Sequence, residues 1–173
     1  MDETIFAHNI HKTKDFLGNE LSFDCMGCAI VNEEIAVPSG PVYRGKFCFL
    51  APDPEIPIPG FLVLNARRHV NSFAELTLDE RHEIGDVLAC AETALKQLDI
   101  TKEITLVQEY LSAHFHIWIF PVQSWMIEKF GAGISTLREV AAYAKTHATV
   151  NDKQEVLDVA ARIREKLANS LSL

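Results

Sequence analysis

The run from His114 to Pro121, His-Phe-His-Ile-Trp-Ile-Phe-Pro, alternates side chains at the period of a β-strand. In a strand successive residues point to opposite faces and rise by about 3.3 Å each. His114, His116, Trp118 and Phe120 then share one face, while Phe115, Ile117 and Ile119 share the other. The two imidazoles stand about 6–7 Å apart along such a strand. One of them can hold a metal while the other faces a pocket, because a neutral histidine serves as metal ligand, general base or nucleophile. The plain alternative is that both are only packed and hydrogen-bonded, so the rest of the chain has to decide.

A chain of 173 residues makes one domain with room for a helical appendage, large enough to bury a core without disulfides. The apolar fraction of 48% and charged fraction of 23% are those of a soluble globular protein. No apolar run reaches the length of a membrane span, and Met1-Asp2-Glu3-Thr4 lacks the basic start of a signal peptide. Four cysteines, two of them in Cys25-x-x-Cys28, fit a reducing compartment with one metal site better than a disulfide framework. The expectation is a cytoplasmic protein with no membrane association. A formal charge of −8 argues against broad nucleic-acid binding, which needs lysine and arginine to neutralise phosphates. An anionic ligand would need a local site, built from backbone N–H groups, a histidine, or Arg67 and Arg68.

Residues 1–22 are weakly patterned and suggest no more than a short helix. Lys46 to Ala51 and Phe61 to Ala66 read as strands, separated by the proline-rich loop from Pro52 to Gly60. Thr77-Leu78-Asp79-Glu80 has the form of a capping box opening a helix, whose Ile84, Val87, Leu88, Ala91 and Leu95 make one apolar stripe. Glu103 to Tyr110 and His114 to Pro121 form two further strands, predicted to be an antiparallel hairpin. A helix near Ser135 to Lys145 precedes a last one from about Asp152 to Leu171, which carries Val156, Val159, Ala160, Ile163 and Leu167 on one face. That face needs a partner, either this domain or a second subunit. Strands grouped around helices without regular βαβ alternation predict an α+β fold. The divisions expected are an N-terminal extension at 1–24, a core at 25–130 and a C-terminal helical extension at 131–173.

Two thiolates at Cys-x-x-Cys spacing converge readily on one tetrahedral ion. Cys48 and Cys90 sit at core positions of a strand and a helix, so the remaining ligands must be histidines. Spacing leaves two choices open: His8 with His11 in a compact local knuckle, or His69 with His114, tying the N-terminal segment to the central strands.

Three segments, in order, resemble the histidine triad (HIT) superfamily of nucleotide hydrolases and transferases. They are Cys25-Met26-Gly27-Cys28, the stretch Pro57-Ile58-Pro59-Gly60-Phe61 to His69, and His114-Phe115-His116-Ile117-Trp118. The resemblance implies a HIT-like antiparallel sheet with a long helix after the second core strand and extra C-terminal helices. It implies that His116 is the nucleophile, and that Cys25, Cys28, His69 and His114 hold a structural zinc ion. Asp53 matches a residue that binds ribose hydroxyls, and Gln108 one that contacts phosphates. Ser112 is a further phosphate donor, displaced by one residue from the usual position. Trp118 stands where the third histidine of the signature belongs, so it either fills that space as a core aromatic or offers a base a stacking surface. The function implied is cleavage of a dinucleoside polyphosphate or nucleotide phosphoramidate through a nucleotidyl-histidine, in a homodimer whose sheets associate. The competing reading is a nucleotide-binding regulatory module that kept the zinc scaffold and lost turnover.

Overall fold

The structure, a computed structural model, describes residues 10–109 and 113–171. The first described element is a hairpin, β1 (His11–Lys14) paired antiparallel with β2 (Glu20–Phe23), for which the weakly patterned residues 1–22 give no assignment. The turn between them explains the pairing. The Asp15 carboxylate accepts hydrogen bonds from the backbone N–H of Leu17 and Asn19 and from the Asn19 amide, and Gly18 adopts a positive φ of 98°. Asp, Gly and Asn in close succession are turn chemistry, which closes a hairpin where the strands themselves are only weakly patterned.

A five-stranded sheet follows, made of β3 (Tyr43–Arg44), β4 (Cys48–Pro52), β5 (Leu62–Ala66), β6 (Glu103–Val107) and β7 (His116–Val122). Its order is β3-β4-β5-β7-β6 with every neighbouring pair antiparallel, giving the α+β class the sequence predicts. Residues of one parity, including Leu50, Leu62, Leu64, Ile117 and Ile119, form one core with Ile84, Val87, Ala91 and Leu95 of α2 (Leu78–Gln97). The other face is covered in two patches. Phe49 and Ala51 meet Ile30 and Val31 of α1 (Met26–Val31), while Val63 and Phe120 meet Met126 of α3 (Ser124–Phe130) and Val140 and Ala144 of α4 (Leu137–His147). The strand holding the histidine run is therefore flanked on both sides in the middle of the molecule. It begins at His116, two residues later than alternation alone suggests.

The last helix, α5 (Val150–Ser170), starts at a capping box in which Thr149 caps the Asp152 N–H and Asp152 reaches back to Thr149. Val159, Ala160, Ile163 and Leu167 of this helix enter the same core as α2. The chain itself covers the face that seemed to need a partner, so that face no longer supports a dimer. Among the described residues no helix is long and apolar enough to cross a membrane.

The predicted cap of α2 is present in both halves. Thr77 Oγ1 accepts from the Glu80 N–H at 3.3 Å, and Glu80 Oε2 accepts from the Thr77 N–H at 2.7 Å. Glu80 is only 4% exposed, and Arg68 donates to both of its oxygens. The Arg68 guanidinium, helped by Thr77, holds the carboxyl down at about 2 from its ordinary 4.5. A carboxyl depressed on folding stabilises the fold above its unfolded pKa and loses that contribution as pH falls through the folded one. Thr77→Ala is expected to lower stability by about 1 kcal/mol. Glu80→Gln should flatten the acid limb of the stability curve between pH 4.5 and 2. Urea titrations across that range check both, and an unchanged acid limb in Glu80→Gln would show that another group carries it.

Candidate functional site

Cys25 is the N-cap of α1 and its Sγ accepts from the Cys28 N–H at 3.5 Å, so the helical turn folds both thiols to one side. His69 follows the end of β5 and His114 precedes the start of β7, two neighbouring strands of the sheet. Cys25 Sγ lies 3.7 Å from Nδ1 of both His69 and His114. Cys28 Sγ lies 3.1 Å from His69 Nδ1 and 3.4 Å from His114 Nδ1. All four ligand atoms fall within 4.8 Å of one another. Tetrahedral zinc with ordinary Zn–S and Zn–N bonds separates its sulfur and nitrogen ligands by about 3.6 Å.

The donor chemistry agrees with the distances. His114 Nε2 donates to the Ala66 carbonyl at 2.7 Å, which leaves Nδ1 with its lone pair toward the thiols, and burial keeps the ring neutral by lowering its pKa. Burial and the adjacent Cys25 thiol push Cys28 up to about 11, a thiol pair that a divalent cation would hold as thiolates. Gly27 makes the approach possible, since a Cβ there would stand 2.5 Å from Cγ of His114. These residues fit a closed, four-ligand zinc site. Of the other histidine pair, His8 lies outside the described residues. His11 is on β1 with its ring stacked on Phe23 at 6.0 Å, and it is not part of the cluster.

Beside this centre a cleft of about 90 Å³ opens over the face of the sheet, bounded by α1, the Pro52–Pro54 segment, β5 and β7. His116, Asp53 and Trp118 all line it. His116 Nδ1 donates to the His114 carbonyl at 3.0 Å, which leaves Nε2 as the free nitrogen. Asp53 Oδ1 accepts from the N–H groups of Glu55 and Ile56, an arrangement that shapes the proline-rich loop, while Oδ2 has no partner among the described residues. Burial pushes this carboxyl up to about 6, against those two hydrogen bonds. Trp118 packs edge-on to Phe61 at 5.3 Å and stacks with Phe120 at 6.4 Å while still lining the cleft, so it is a core aromatic and a wall of the site at once.

Other expected residues are placed elsewhere. Gln108 is exposed and donates its amide to the Glu109 carbonyl, away from the cleft lining. Ser112 lies outside the described residues. Arg67 donates to the carbonyls of Gly45 and Val31, and Arg68 to Glu80 and the Glu75 carbonyl, so both guanidinia are committed to the fold rather than to an anion. Asn65 lines the cleft and was not among the expected residues, although an amide at the end of the apolar run Phe61 to Leu64 was visible in the sequence.

Solved structures with this architecture share one fold. A hypothetical histidine triad nucleotide-binding protein from Sulfolobus tokodaii matches at TM-score 0.60 and 15% identity, covering 83% of this chain and 94% of that one. A Zn-bound histidine triad family protein from Mycobacterium smegmatis matches at TM-score 0.58 and 12% identity, covering 84% and 94%. A Hit-like protein involved in cell-cycle regulation from Bartonella henselae matches at TM-score 0.56 and 16% identity, covering 80% and 93%. The chain has the histidine triad fold, as the resemblance of its motifs predicts. No family model matches the sequence, and no curated protein matches it either.

Proposed function

We propose that this protein is a nucleotide hydrolase or transferase of the HIT type, acting on a dinucleoside polyphosphate or nucleotide phosphoramidate through a covalent nucleotidyl-His116. The observation that carries the reading is His116 itself, with Nδ1 tied to a backbone carbonyl and Nε2 left free in a cleft that also holds Asp53. The Nε2 lone pair attacks the α-phosphorus, and the bond to the leaving group breaks with its electron pair going to that group. The imidazolium that forms keeps its Nδ1–H on the His114 carbonyl. Water or another acceptor then attacks the same phosphorus and gives up its proton to solvent, while the P–N electron pair returns to Nε2 and restores neutral imidazole. Cys25, Cys28, His69 and His114 would hold zinc, which would supply rigidity there, and the His114 carbonyl accepts the Nδ1–H of His116.

Asp53 binds the ribose hydroxyls, with Oδ2 as the acceptor. A charged carboxylate accepts hydroxyl hydrogen bonds better than a neutral acid does. Adenosine affinity should therefore rise as pH passes upward through about 6, where Asp53 ionises. Asp53→Asn is expected to weaken adenosine about tenfold at pH 8 and to remove the pH dependence. Calorimetric titration from pH 5 to 8 reads both effects, and a variant with wild-type affinity would exclude Asp53 from the nucleoside site. Gln108 stands apart from this constellation, while Ser112 as phosphate donor and the homodimer rest on the resemblance alone.

A second reading has one observation in its favour. A cleft of about 90 Å³ walled by Trp118 is smaller than the several hundred Å³ that usually enclose a whole nucleotide. Restriction of the cleft by Trp118, in the place of the third histidine, is the feature expected of a regulatory module that has lost turnover. Intact-mass measurement after brief mixing with diadenosine polyphosphates or adenosine phosphoramidate separates the two. A nucleotidyl adduct that disappears in His116→Ala supports the enzyme, and binding without adduct or released AMP supports the module.

A further inference from the structure

Asn65 is the one strand residue of β5 with a polar side chain, and it is 4% exposed. Across the β5–β7 ladder it pairs directly with His116. Directly opposed residues of an antiparallel pair send their side chains off the same face of the sheet, close together. Both residues line the cleft.

The carboxamide of Asn65 has no hydrogen-bond partner among the described residues, yet no fully buried side-chain nitrogen or oxygen there lacks one. Its nitrogen and oxygen must therefore both keep contact with the cleft. A primary amide brings two N–H donors and one acceptor. Among the described residues, the other polar side chains of the cleft are less suited to a phosphate: Asp53 repels it when ionised, and His116 has one nitrogen committed and the other free to attack. Arg67 and Arg68 are engaged elsewhere. The donor that stands beside the nucleophile is an uncharged amide on a rigid central strand.

We propose that Asn65 is a ligand-contacting residue whose amide N–H groups bind a non-bridging oxygen of the phosphoryl group presented to His116. This rests on the functional reading above and deepens it by naming a phosphate contact. A preorganised donor at that oxygen stabilises charge that shifts there as the P–N bond forms. An amide on a paired strand does so without the reorganisation a long side chain would need. It also leaves the charge balance of the cleft unchanged.

The test compares wild type with Asn65→Leu, of similar size but without donors, and Asn65→Asp, of similar shape but anionic at pH 8. AMP and adenosine affinities, thermal melting and the rate of adduct formation are measured for each. Asn65→Leu is expected to weaken AMP about ten- to a hundredfold, to slow adduct formation by a similar factor, and to leave adenosine unchanged. Its melting temperature should hold or rise, because a buried amide without a protein partner is replaced by an apolar group. Asn65→Asp should weaken AMP further than leucine does, and it keeps the comparison available if the leucine variant fails to fold. An active wild type beside variants with unchanged AMP affinity would overturn the assignment while leaving the functional reading intact. Parallel losses for AMP and adenosine would also overturn it, since the amide would then shape the cleft rather than meet the phosphate. A wild type that binds neither nucleotide and forms no adduct overturns this proposal and the functional reading together.

Discussion

His116→Ala is expected to lower turnover by about a thousandfold or more while leaving nucleotide affinity within a few-fold of wild type. The side chain forms the new bond to the α-phosphorus in the proposed first step, and loss of a covalent nucleophile typically removes most of the rate. Its contribution to folding is small by comparison. It is half-buried, and its hydrogen bond runs to a carbonyl two residues away. The variant should therefore remain folded, losing about 1 kcal/mol at most. Added imidazole, small enough for the space the ring leaves, should restore part of the rate without forming an enzyme adduct. Undiminished AMP release by His116→Ala would end the covalent mechanism, whatever nucleotide the cleft binds.

The double replacement Cys25→Ser/Cys28→Ser is expected to remove about one zinc per chain and to lower the melting temperature by about 10 °C or more. The four ligands come from α1 and the ends of β5 and β7, so the ion would cross-link three separated parts of the chain. Gly27→Ala should act in the same direction with every ligand still in place, because the added methyl would overlap the His114 ring. It should also slow the chemistry, since His114 supplies the carbonyl that orients His116. His11→Ala leaves the metal content unchanged if the cluster is assigned correctly. Metal analysis together with calorimetric melting decides the matter. Full zinc occupancy after loss of both thiols would move the site elsewhere, and an unchanged melting temperature would deny it a structural role.

Much of the fold is legible because its signals are local. The alternation in β7 appears as Ile117 and Ile119 in one core and Phe120 in the other. The Thr77–Glu80 box caps α2 as its spacing predicts. Where local signals are weak or mixed, the pattern leaves the element open or its bounds shifted. The β1–β2 hairpin turned on Asp15 and Gly18, and the start of α5 on an aspartate in the place where glutamate usually completes the box. His114, read as part of the strand, lies just ahead of it, where the chain is free to turn its ring to the thiols rather than hold it perpendicular to the sheet.

Residue type and spacing alone fix the chemistry on offer: a Cys-x-x-Cys, a nucleophile candidate at His116, an α+β order of core elements and the cap of α2. Which of these groups meet is a property of the folded chain. Folding placed His69 and His114 with the thiols and left His11 on its hairpin. It bound Arg67 and Arg68 to carbonyls and Glu80, covered α5 with the chain's own core, and set Asn65 across from His116. The reason is that strand register and the packing of loops against the sheet depend on all the contacts at once. Residues far apart in the chain are brought together by that global choice, which no local pattern of side chains encodes.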